Sequence, residues 1–486
     1  MVVVYSRKEL MQKLVPWVGL FLLLFGPISA FSQWLKVYTP PADLPGTYHN
    51  DDFKVKVRKP GGAWQDVYSY KVHVLKVTQG NSQVEDASMA SFDFDGKVEV
   101  SVQYTKGRVN TARVRPLHNG IRVDIQGNTL RFSLDRPANL SVEVNGDIFH
   151  NLHLFANPPE KFVVNQGDPN LIYFGPGLHH LKGRKLLVPS GKTVYIAGGA
   201  VIDGQILVDH AHNVKVLGRG MIDPAVKMGV EVSNSRNVTI EGIESTQCAT
   251  GGSDSVFINN VKCISYYGWG DGMNVFASRH VYFEGVFCRT SDDCTTVYAT
   301  RKGFTGGSRD VIMRNATLWA DVAHPILIGT HGNVAHPDTI QHIRYQNIDI
   351  LDHNELQKDY QGCMSIDAGD ENLITDVTFE NIRVEDFRCG QLLNLRVFYN
   401  KKYCKAPGKA IENILFKDIT YNGSHASTSI IDGYDSARLV RNIIFDNLII
   451  NGRKISDNMP GKPAWYKTSD FADFFVGDHT ENIQFK

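Results

Sequence analysis

NVTIEGIES, residues 237–245, is one copy of a phrase that the chain writes nine times. The other copies open at Asn213, Ser255, His280, Asp310, His342, Asp376, Asn413 and Asn442. A β-branched residue follows each opening: Val214, Val238, Val256, Val281, Val311, Ile343, Val377, Ile414 and Ile443, at intervals of 24, 18, 25, 30, 32, 34, 37 and 29 residues. Within a copy, alternation sends Val, Ile and Phe to one face and Asn, Glu and Lys to the other. No helical period separates the copies. Short strands repeating at unequal intervals predict a solenoid, in which each coil buries its inward residues against the coils above and below. The expected fold is all-β, a right-handed parallel β-helix over residues 159–486. A β-propeller would need four strands per repeat of about 40–45 residues and fits less well.

Working outward, the grammar changes upstream of the repeats. Runs such as FKVKVRK, YKVHVLKV, KVEVSVQY and LSVEVNG alternate over short lengths between turn residues. They predict an N-terminal antiparallel β-sandwich over 33–158, closed by the proline pair of FANPPEK. Residues 1–32 read as a signal peptide: Arg7, Lys8 and Lys13, then the apolar run LVPWVGLFLLLFG, then Ala30 and Ser32 ahead of a cut before Gln33. An uncleaved anchor is the alternative reading. No later segment is apolar enough to span a bilayer, so a secreted or periplasmic protein is expected, with no membrane span after cleavage.

Lys plus Arg and Asp plus Glu each total 51, which leaves no net field to favour nucleic acid. Apolar residues at 42% and charged residues at 21% describe a soluble globular chain, expected to be a monomer. Cys389 and Cys404 flank one loop-sized segment and are the candidate disulfide among seven cysteines. No cysteine or histidine spacing suggests a metal, and no glycine-rich phosphate loop suggests an organic cofactor.

The solenoid gives the acids a meaning. Equivalent positions on adjacent coils lie about 4.8 Å apart. Three consecutive coils carry a second strand after the repeated phrase: GDGMNVFAS from Gly270, SDDCTTVYA from Ser291 and AHPILIGTH from Ala323. Aligning their apolar cores sets Asp271, Asp293 and His324 level with one another, with Asp292 beside Asp293. Glycoside hydrolysis needs one carboxylic acid to protonate the leaving oxygen and one carboxylate to activate water. Crowded carboxylates favour this, because like charges keep a proton on one of them. In a regular strand Asp292 and Asp293 would face opposite ways, so both can serve only where the chain bends.

Asp271-Gly272, then Asp292-Asp293, then His324 resembles the catalytic layout of the clan N glycoside hydrolases. The interval from Asp271 to Asp293 is similar to that of the polygalacturonase family. A sandwich before a β-helix, with HLFANPPE, LIYFGPGLHHL and VYIAGGAVIDGQI at the junction, resembles the dextranase/isopullulanase family. The resemblance implies hydrolysis with inversion, with Asp292 as general acid and Asp271 and Asp293 holding and deprotonating the water. His324 would orient or tune the acids. The polygalacturonase Asn-Thr-Asp is here Trp269-Gly270-Asp271, and its Gly-His-Gly is Ala323-His324-Pro325. Its Arg-Ile-Lys has no clear counterpart, Arg396 of NLRVF being the nearest, which favours a neutral glycan over a polyuronate.

Trp269, His331, Asp367 and Arg396 are the candidate substrate contacts. Trp269 could stack on a pyranose face, while His331, Asp367 and Asp370 sit in loops level with the acids. Two other classes remain open on sequence alone. A β-helix polysaccharide lyase would hold Ca²⁺ on the same acids. A non-catalytic glycan-binding solenoid would use them for neither purpose.

Overall fold

In the computed structural model, residues 34–40 and 44–486 are described, and the expected signal peptide, 1–32, lies outside them. From Leu171–Phe174 to Thr480–Phe485, twenty-eight strands join into one continuous coiled sheet. Its ladders are parallel apart from the hairpin Val440–Ile450 with Arg453–Ile455. Each β-branched position of the repeated phrase pairs with the next: Val214 with Val238, then Val256, Val281 and Val311. The ladder continues through Ile343, Val377 and Ile414 to Ile443.

The opening residue of each phrase has a physical reason. Asn213, Asn237, Ser255, His280, Asp310, His342, Asp376, Asn413 and Asn442 all hold a left-handed φ between 52° and 61°. The chain turns a corner there, and Asn, Asp and His tolerate that conformation better than most side chains. The corner amides also stack, Asn442 Nδ2 donating to Asn413 Oδ1 at 3.1 Å. Inside the coil, Tyr345, Phe379, Phe416, Phe445 and Phe485 stack ring on ring at 4.8–5.6 Å between successive centroids.

Upstream, a six-stranded and a five-stranded sheet enclose a separate core that includes Phe53, Phe92, Phe94, Leu130 and Leu154. The expectation of a wholly antiparallel sandwich needs one correction. Leu152–Asn157 runs parallel to Asn81–Asp95, because it leaves the sandwich toward the coil. The hairpin Tyr70–Thr78 and Asn81–Asp95 lies against the β-helix through Tyr70, Val72 and Met89, which meet Met221, Ile264 and Phe287. Buried ion pairs tie the two units together, Arg219 Nε donating to Asp93 at 3.0 Å and Arg115 Nε to Glu385 at 2.7 Å.

All seven cysteines are free thiols, so the expected Cys389–Cys404 disulfide is not formed. Cys389 Sγ turns to the Glu355 carbonyl and Cys404 Sγ to that of Thr330, groups on different coils. No helix among the described residues is long and apolar enough to cross a membrane.

Candidate active site

One sheet of the coil carries the acids. Met273–Phe276, Thr295–Tyr298, Ile326–Gly329, Met364–Ala368 and Leu393–Val397 are successive strands of it. Met273 pairs with Thr295, and Thr295 with Ile326. Asp271, Asp293 and His324 each stand two residues before these partners. The Gly272 N–H donates to the Asp293 carbonyl at 2.9 Å, and the Cys294 N–H to the His324 carbonyl at 2.8 Å.

The facing problem of Asp292 and Asp293 is solved by a bend. Phe287–Thr290 ends before them and Thr295–Tyr298 begins after them. Thr290 Oγ1 donates to the Asp292 carbonyl at 2.7 Å, and the Asp293 N–H to Asp292 Oδ1 at 3.0 Å. Ser291 Oγ donates to the Tyr267 carbonyl at 2.6 Å, which ties this bend to the one carrying Asp271. Carboxylate oxygens of Asp271, Asp292 and Asp293 consequently lie within 4.8 Å of one another. They sit in a cavity of about 640 Å³, a size that suits a small-molecule or sugar site.

The three acids are not equivalent. Burial, then Asp293, push Asp271 up to about 7, against the 2.7 Å hydrogen bond donated by Asn274 Nδ2. Burial, then Asp293 and Asp271, hold Asp292 well above the usual carboxylate range. Asp293 has partners instead: Tyr298 Oη donates to it at 3.1 Å, and the His324 N–H at 3.1 Å. His324 Nδ1 lies 2.7 Å from Asp293 Oδ1, and Nε2 lies 3.1 Å from the Tyr360 carbonyl. A carbonyl can only accept, so Nε2 carries hydrogen, and beside the Asp293 carboxylate Nδ1 carries one too. Burial alone opposes that charge, but Asp293 outweighs it and raises the imidazole above its ordinary value.

His324 therefore stands behind Asp293 rather than in the cavity, with none of its surface exposed. Its ring is enclosed by Asp293 and Tyr360, a placement from which it can orient Asp293 but not touch a sugar in the cavity. Of the expected substrate contacts, Trp269 and His331 line the cavity. Trp269 is a rim residue, 77% exposed. Burial, then Arg301, lower His331 to about 3, so its ring is neutral at ordinary pH. Asp367 and Arg396 do not line it. Asp367 accepts from Ser365 Oγ at 2.8 Å and Asn394 Nδ2 at 3.2 Å, and Arg396 Nη1 donates to the Asp359 carbonyl at 3.0 Å. Both point out from later coils, where loops cover them. Asp370 accepts the N–H groups of Lys405 and Ala406 and so anchors a loop.

Sequence reasoning missed Tyr298, Arg301, Lys302, Glu355 and Lys402, which all line the cavity. Arg301 and Lys302 had a findable signal, since TRKG follows TTVYA directly and any loop leaving that strand must border the acids. Glu355 and Lys402 belong to long loops of later coils and carried no such mark.

A family model described as glycosyl hydrolases family 28 matches residues 182–463, more than half of the chain. Dex49A from Penicillium minioluteum matches with a TM-score of 0.58 at 12% identity, covering 92% of this chain and 96% of that one, a likeness of fold. A family 28 exopolygalacturonase from Yersinia enterocolitica matches with a TM-score of 0.48 at 12% identity, over 80% of this chain and 96% of that one. No curated protein is matched. Membership of a glycosidase family sets aside the lyase and the non-catalytic solenoid. With its parallel register of repeats and its acid cluster on one sheet, the chain belongs to glycosyl hydrolases family 28 and is a polysaccharide-directed glycosidase.

Proposed function

We propose that the chain hydrolyses a polysaccharide with inversion, with Asp292 as the general acid and Asp271 and Asp293 positioning and deprotonating the water. The observation that carries this is the unequal treatment of three converging acids. Asp292 is buried and crowded, which keeps a proton on it for the leaving oxygen. Asp293 is held by the His324 ring at 2.7 Å and by the Tyr298 hydroxyl at 3.1 Å, which fix its carboxyl group beside the other two. Asp271 flanks the same point from the neighbouring coil and accepts from Asn274.

The nearest oxygens, within 4.8 Å, are closer than the about 6.5–9.5 Å usual for a two-carboxylate inverting pair. That spacing favours a retaining double displacement as a second reading. Against it stands the third acid, which lets two carboxylates share one water. Proton NMR of the first product decides between them. An inverted anomer supports the proposal, and a retained one overturns it. Asp292→Asn should lower turnover by about 10²–10⁴-fold without lowering the melting temperature.

For the substrate, the cations Arg301, Lys302 and Lys402 around the cavity favour an acid-bearing glycan, reversing the preference that the absence of an Arg-Ile-Lys motif suggested. Reducing-sugar release from polygalacturonate, rhamnogalacturonan, dextran and pullulan tests this. Preference for dextran or pullulan would refute it. Export is proposed on the basic-then-apolar segment of residues 1–32, and N-terminal sequencing of the mature protein would locate the cut.

A further inference from the structure

An open solenoid cleft would let a polymer lie along the sheet and pass over the acids in both directions. Here chain segments cross that sheet. Its outer face carries a second apolar layer, in which Phe276, Tyr298 and Leu327 are covered by Tyr360, Phe398 and Cys404. Loop 398–409 leaves Leu393–Val397 and folds back over two earlier coils. Asp370 Oδ1 accepts the N–H groups of Lys405 and Ala406 at 2.5 and 3.2 Å, and Cys404 Sγ donates to the Thr330 carbonyl at 3.3 Å.

From the opposite edge comes segment 353–362. The two meet above the sheet. The Tyr360 and Tyr403 rings stack with centroids 4.5 Å apart. Lys402 Nζ and Tyr403 Oη both donate to Gln357 Oε1, at 2.9 and 3.0 Å. Tyr360 also stands edge-on to His324 at 4.6 Å, so this strap crosses the sheet immediately beside Asp293. A second loop, 299–308, folds the other way. Its Phe304 stacks on Phe276 at 6.1 Å and lies so close over Gly251 that a Cβ there would meet the ring at 2.2 Å. The sandwich supplies a third wall through Leu75 and Val77. Asn354 Nδ2 holds that hairpin by donating to the Val77 carbonyl at 3.3 Å.

We infer that the trough is a closed-ended pocket and that the enzyme trims its glycan from a chain end. This rests on the hydrolase reading and adds to it the position of the bond cut. In each turnover the glycosidic C–O bond breaks, the water oxygen bonds to the anomeric carbon, and a proton passes to the leaving oxygen. The strap restricts which bond can reach that point. An interior segment would have to continue through the space that Tyr360, Tyr403 and Lys402 fill.

The test follows viscosity, reducing ends and early chromatographic products with polygalacturonate, rhamnogalacturonan, dextran and pullulan. Expected from the wild type is a single short product from the first time point, with viscosity almost unchanged. Tyr403→Ala and Gln357→Ala each remove ties of the strap. In these variants, checked as folded by circular dichroism, a ladder of intermediate oligomers is expected, with a clear rise in viscosity loss per bond cut. A wild-type ladder with rapid loss of viscosity overturns the inference and leaves the hydrolase reading standing. Folded variants that still release only the short product also overturn it, because the strap would not then set the position of the cut. Turnover of none of the four polymers overturns the hydrolase reading itself and the inference with it.

Discussion

Replacing Asp271 by Asn is expected to stabilise the fold while removing most of the activity. Folded Asp271 is pushed up to about 7 by burial and by Asp293, whereas an unfolded aspartate titrates near about 3.9. Between those values the unfolded chain gives up a proton that the folded one keeps. The folded state then binds more protons, and stability falls as pH rises. The cost is absent below about pH 4, grows through the window and is complete above about pH 7. Three pKa units at 1.36 kcal/mol each set it at about 4 kcal/mol. Burial is the larger cause and the Asp293 charge the next, so the cost combines desolvation with like-charge repulsion. Burial and Asp293 act on Asp271 together, so one substitution recovers at most that amount.

Asn fills the same volume, and its Oδ1 can still accept from Asn274 Nδ2. The expected gain at pH 7 is about 1–4 kcal/mol, a rise in melting temperature of about 1–4 °C for a chain of this length, with turnover down about 10²–10⁴-fold. Calorimetric melts of both proteins at several values between about pH 4 and pH 8 check it. No gain at neutral pH would refute the reasoning. An equal gain at acidic pH would refute it too, since it would place the effect in packing rather than charge.

Other outcomes follow from the same geometry. Hydrolysis should fall as pH rises far enough to take the proton from Asp292, which burial, Asp293 and Asp271 hold well above the usual carboxylate range; a pH–rate profile with no fall on the alkaline side would remove Asp292 as the acid. His324→Gln should destabilise the chain by about 3–5 kcal/mol, since it leaves the Asp293 carboxylate without its buried cation, and denaturant melts would show it. Arg301→Ala should raise KM for an acid-bearing glycan severalfold more than for a neutral one, with kcat less affected, because Arg301 lines the wall of the cavity; equal effects on both substrates would assign it no part in choosing charge.

Much of the coil was legible because a solenoid repeats its constraint. Val238 reads as inward whether it pairs with Val214 or Val256, and the same alternation recurs at Val281 and Ile343. Local pattern and tertiary register are then the same information, and it places Asp271, Asp293 and His324 level from sequence. Facing directions at irregular positions were not legible. His324 shares the register of Asp293 yet lies wholly buried, because Tyr360 from the next coil closes over it. Arg396 and Asp367 have suitable chemistry on a suitable strand, but neighbouring side chains and loop backbone claim both.

By itself, then, the sequence determined the stacking of coils, the sandwich before them and the shared level of the acids, since alternation and repeat length act residue by residue along the chain. Tertiary structure alone decided which acids burial raises, which cations surround them and where the trough is shut. Those depend on loops 353–362 and 398–409 meeting across the sheet and on loop 299–308 packing on it from the other way. Such loops carry no period, and their partners lie as much as 277 residues away.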